Sequence, residues 1–227
     1  MTDSSVDILA DNIRETHDVL AARLSDAQES RPTRDLPRDR FRAIDPFLAS
    51  ASRHVAAVNA VLVPAARRLL ADGSDRTREL ARQSKRLEQA LAQAKAKLYG
   101  SSFAVRRPWD SIWADVEQEL GRQRELEEGL VGDLAEVTDE PDRAELADRL
   151  YEAEQHVPTR PHPYLPHGGI AGKVARGVAL WVDRFWDTAE GRMVPEPVRP
   201  HRSREGRMVQ YLLADPQLRG ASGEQRD

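Results

Sequence analysis

Apolar residues return every three or four positions through the first 157 residues, the period of helices with one buried face. The first helix is predicted from about residue 5 to 28, with Ser5 as its cap and Leu9, Ile13, His17, Leu20 and Leu24 on one face. Pro32 and Pro37 break it. A second helix begins near Arg40 and aligns Ile44, Phe47, Ala51, His54, Val58 and Val61, and Pro64 marks a kink or a boundary. The run Asp72-Gly73-Ser74-Asp75 stops it and caps a third helix over about 76–98, whose stripe holds Leu80, Gln83, Leu87, Leu91, Ala94 and Leu98. Pro108 suits the first turn of a fourth helix that aligns Trp113, Val116, Leu120, Gln123, Glu127, Leu130 and Leu134. A short fifth helix is predicted over about 141–155. Alternating runs rich in Val, Ile and Thr are missing, so the expected fold class is all-α. Four long helices joined by short connections predict an up-and-down four-helix bundle, since each can hide its stripe only against the others.

The pattern changes at Val157. Residues 158–169, rich in Pro and His, predict an extended strap over the bundle of residues 1–157. Residues 170–190 predict an amphipathic C-terminal helix that gathers Val174, Val178, Trp181, Val182, Phe185 and Trp186 on one side. Residues 191–227 are rich in Arg, Pro, Gly and Ser and predict a disordered tail.

The polar residues on the apolar stripes carry the chemistry. Each long helix has at least one: His17, His54, Gln83, and Gln123 with Glu127 a turn later. An unpartnered buried polar group costs roughly 1–3 kcal/mol, so four such stripes predict that these groups face one another. Facing helices are where bundle proteins place metals. Here the chain resembles the hemerythrin, or HHE cation-binding, family of four-helix bundles. Glu15-Thr16-His17 is similar to the family's first-helix histidine signature, and the stretch from His54 to Pro64 is similar to its second-helix motif. Three positions depart from it. Val58 stands where the family has a metal-bridging glutamate, and Gln83 stands where a third-helix histidine is expected. Gln123-Arg124-Glu125-Leu126-Glu127 resembles the fourth-helix His-x-x-x-Glu with glutamine for histidine and Glu127 kept. The resemblance covers about residues 5–137 and implies oxygen, nitric oxide or iron handling, with a small diatomic ligand.

A di-iron pair needs a carboxylate bridging both metals, and Val58 removes one. His17, His54 and Glu127 form a set for a single iron or other divalent cation, in the manner of two histidines and one carboxylate. Gln83 and Gln123 are poor ligands through their amide oxygens and are read as hydrogen-bond partners behind the ligands. The same residues also suit a metal-free network in which they satisfy one another. A helical interaction module, docking on a protein partner or a second copy through Trp181, Phe185 and Trp186, is the alternative function that follows.

Composition narrows the field. With 34 Lys+Arg against 38 Asp+Glu the net charge is −4, which disfavours nucleic acid as a partner, and the arginines at 199, 202, 204 and 207 lack interleaved aromatics. The absence of cysteine excludes disulfides, thiolate catalysis and cysteine-ligated clusters, and fits a reducing, cytoplasmic location. Asp183 and Asp187 among the aromatics disfavour a membrane-surface role for residues 170–190. The acidic N-terminal stretch lacks the lysines of an export leader. No glycine-rich phosphate loop, nucleophile elbow or Ser/His/Asp order marks an enzyme.

Overall fold

The computed structural model describes residues 7–31, 39–100, 106–156 and 195–200. Five helices account for nearly all of them: α1 (Ile8–Glu29), α2 (Asp39–Leu69), α3 (Gly73–Leu98), α4 (Trp109–Val137) and α5 (Glu140–His156). The described residues include no strand. The aromatic helix expected over residues 170–190, with Trp181, Phe185 and Trp186, and the strap over 158–169 lie outside the described residues.

Boundaries shift where local chemistry overrides the pattern. Asp7, rather than Ser5, caps α1: its carboxylate accepts from the main-chain N–H groups of Leu9 and Ala10 at 3.1 Å each. Pro64 ends nothing. α2 continues through both Pro46 and Pro64 to Leu69, because the apolar face carried by Leu62, Val63, Ala65 and Ala66 stays buried past the proline and outweighs the lost hydrogen bond. α3 starts at Gly73, earlier than expected. A Cβ at Gly73 would collide with the main-chain oxygen of Ala66, so only glycine lets the start of α3 approach α2 this closely.

α1 packs on α2, α4 and α5, α3 packs on α2 and α4, and α5 lies against α1 and α2. The buried side chains form two clusters. One contains Leu9, Ile13, Val58, Leu62, Leu80, Leu130, Leu134, Leu146 and Leu150. The other contains Leu20, Leu24, Phe47, Val55, Leu87, Leu91, Trp113, Val116 and Leu120. On α1, α3 and α4 a group of buried polar residues falls in the chain between the two sets: His17 between Ile13 and Leu20, Gln83 and Ser84 between Leu80 and Leu87, and Gln123 and Glu127 between Leu120 and Leu130. A polar layer therefore interrupts the core at mid-length. Apolar packing above and below it fixes the helices that carry it, and truncating one of these leucines to alanine costs about 2–5 kcal/mol.

Within the expected 191–227 tail, residues 195–200 are described and lie against the bundle. The Pro195 carbonyl accepts from Arg53 Nη1 at 2.7 Å, the Val198 carbonyl accepts from Asn12 Nδ2 at 3.4 Å, and Arg199 Nε donates to the Tyr151 hydroxyl at 2.9 Å. Three prolines stiffen this short run, which lowers the entropy cost of laying it across α1, α2 and α5. α2 also contains a window long and apolar enough to cross a membrane, of which 83% is buried inside the protein.

Candidate metal centre

His17 comes from α1, His54 from α2 and Glu127 from α4, all on the stripes that periodicity assigned them. The structure brings them together. Nε2 of His17 and Nε2 of His54 each lie 2.8 Å from the same atom, Oε2 of Glu127. The imidazole planes stand nearly perpendicular, at 86°, with ring centroids 5.1 Å apart, so both nitrogens reach that oxygen without stacking. All three side chains are 0–1% exposed.

The other carboxylate oxygen is also occupied. Gln123 Nε2 donates to Glu127 Oε1 at 2.7 Å, and its second hydrogen reaches Ser84 Oγ on α3 at 3.2 Å. Gln123 thus sits behind the carboxylate. Gln83 does not join it. Its amide donates to the main-chain oxygen of Glu119 at 3.0 Å and to the Glu119 carboxylate at 2.7 Å, which ties α3 to α4 beside the cluster. Val58 is fully buried in the apolar cluster, and the neighbouring Asn59 amide donates back to the Val55 carbonyl. The Val58 side chain offers no donor to a second metal.

One participant escaped the sequence analysis. Glu154 on α5 places Oε1 2.8 Å from Nδ1 of His54 and is itself 5% exposed. Its signal is the spacing Leu146, Leu150, Glu154, which puts a carboxylate on the apolar stripe of the short fifth helix. Arg53 and Arg23 exert their charges on the same carboxylate.

Burial alone would suppress the charge on His54, but Glu127, by charge and hydrogen bond, and then Glu154 outweigh it and raise its pKa to about 10. Burial would likewise raise the Glu127 pKa, yet the charges of His54 and His17 and their hydrogen bonds hold it well below the ordinary carboxylate range. Glu127 is therefore ionised and accepts a hydrogen from each imidazole.

The donor set fits a divalent metal. Two imidazole nitrogens and one carboxylate oxygen lie within 4.8 Å of one another. Such a set suits Fe(II), Zn(II) or Mn(II) with open positions. Glu154 already holds the outer nitrogen of His54, the usual arrangement behind a metal-ligating histidine. Nδ1 of His17 and Oε1 of Gln123 are the layer's two buried atoms with no hydrogen-bond partner. No family model, curated protein or solved structure matches this chain.

Proposed function

We propose that the protein is a hemerythrin-like metal-binding protein with a reduced, mononuclear centre, in which His17, His54 and Glu127 ligate one iron or other divalent cation. The convergence of both Nε2 atoms on Oε2 of Glu127 carries the reading. The packing supports the corresponding up-and-down arrangement of α1–α4, since each consecutive pair is in contact and α4 returns to α1. The missing bridging carboxylate at Val58 argues for one metal rather than two.

The bound ion would supply a Lewis-acid or redox centre for a small diatomic ligand. Glu154 fixes the tautomer and ring plane of His54, Gln123 holds the Glu127 carboxylate, and the leucines on both sides exclude water. A cytoplasmic location belongs to the same proposal. Equilibrium dialysis of the native chain against Fe(II), Mn(II) and Zn(II) under anaerobic conditions tests it: one ion per chain is expected, with His17→Ala losing it.

The closed hydrogen-bond pattern favours a second reading. Both oxygens of Glu127 are satisfied by protein donors at 2.7–2.8 Å, as a metal-free structural network in an interaction module would require. Failure to retain any of the three ions in dialysis selects this reading.

A further inference from the structure

At the end of the protein where α1 finishes and α2 and α4 begin, Ser30, Arg31, Arg40, Trp109, Asp110 and Trp113 line a cleft of about 290 Å³. Arg31 lies about 20 Å along the α1 axis from His17, at about 1.5 Å per residue, so the cleft is separate from the polar layer. Its walls are held in place. Trp109 and Trp113 stack at 5.2 Å with an interplanar angle of 19°, and the Arg40 guanidinium sits 5.1 Å from the Trp109 ring centroid. Arg31 is pinned by donating Nη1 to the main-chain oxygens of Gln28 and Ser30.

The charges are unbalanced. Neither Arg31 nor Arg40 forms an ion pair among the described residues, and burial followed by the charge of Arg31 lowers the Arg40 pKa. Among the described residues of the lining Asp110 is the only acid, so these two guanidinium groups and one carboxylate sum to a charge of +1. Arg40 offers a planar set of N–H donors, backed by an indole face and meeting no acceptor among the described residues. Two like charges held beside one another in a walled cleft are stabilised by an anion between them. The volume lies just below the range for drug-sized ligand sites, roughly 300–1,000 Å³, and suits a small ligand.

We propose that this cleft is an oxyanion site that holds a phosphoryl group between Arg31 and Arg40, with the tryptophan pair flanking whatever the phosphoryl group is attached to. Guanidinium and phosphoryl oxygens match in geometry, and the bonds are charge-assisted. Trp109 and Trp113 line the site and report its occupancy through their fluorescence.

The test is a fluorescence titration of the full chain, at constant ionic strength, with inorganic phosphate and with phenyl phosphate. A saturable change is expected with at least one of them, and Arg31→Gln and Arg40→Gln should each weaken it by about tenfold or more. Equal affinity for the two ligands identifies the free ion as sufficient; tighter binding of phenyl phosphate identifies an aromatic ester. Arg31 follows the end of α1 and is exposed, so Arg31→Gln retains the fold and keeps the test decisive if Arg40→Gln loses helical content. Absence of a saturable change with both ligands up to about 10 mM overturns the proposal, as does unaltered affinity in Arg31→Gln.

Discussion

Nδ1 of His54 and Oε1 of Glu154 meet at 2.8 Å across 100 residues of chain, joining α5 to the layer built by α1–α4. Glu154 bonds the ring of His54 at the nitrogen facing away from Glu127, so it acts by orienting that ring. Glu154→Gln removes the charge and keeps the volume. The expected result is a loss of metal affinity of about 10–100-fold with helical content retained, read by competition with a chromophoric chelator.

Stability of the metal-free protein should peak in mildly acidic solution. The His54 pKa is raised to about 10 from its ordinary 6.5, so its contribution is fully present below 6.5 and is lost as pH rises through about 10. Glu127 is shifted the other way from 4.5, so its contribution is present above 4.5 and is lost as pH falls through its depressed folded value. The maximum is thus expected between 4.5 and 6.5. Urea unfolding at about pH 5.5, 7.5 and 9.5 checks this, and His54→Gln should flatten the alkaline decline. Metal affinity should rise with pH over the same interval, because the ion competes with protons for the imidazoles.

Glu127→Gln places an amide where two imidazole N–H groups expect a carboxylate. Breaking a buried ion pair from one side costs about 3–5 kcal/mol, and the urea midpoint should fall accordingly. Metal retention should be lost in the same variant.

The two glutamines on the stripes should behave differently. Gln123→Ala strips Glu127 Oε1 of its donor and should cost about 1–3 kcal/mol while weakening metal binding. Gln83→Ala should weaken the α3–α4 contact through Glu119 and leave metal affinity unchanged. A comparable loss of metal in both variants, measured by dialysis, would contradict the geometry.

Helix positions and the inward-facing polar residues were legible in the sequence because a 3.6-residue period forces His17, His54, Gln123 and Glu127 onto the buried stripes. The use of each polar group was less legible. Gln83 and Gln123 occupy equivalent stripe positions, yet one serves a neighbouring helix at its edge and the other the centre, a difference of helix rotation that periodicity does not resolve. Glu154 was hidden for another reason: α5 is short and weakly amphipathic, so one carboxylate on its stripe passes for surface. Two of the three hydrogen bonds of residues 195–200 depend on main-chain carbonyls, which no residue pattern encodes.

The central claim is that His17, His54 and Glu127 ligate one divalent ion. Elemental analysis of untagged protein, before and after anaerobic reconstitution with Fe(II), measures it most directly, together with an optical spectrum. About one metal per chain, abolished by His54→Ala with the fold intact, is the predicted result. No metal under either condition, or two irons with oxo-bridge absorption, would contradict it.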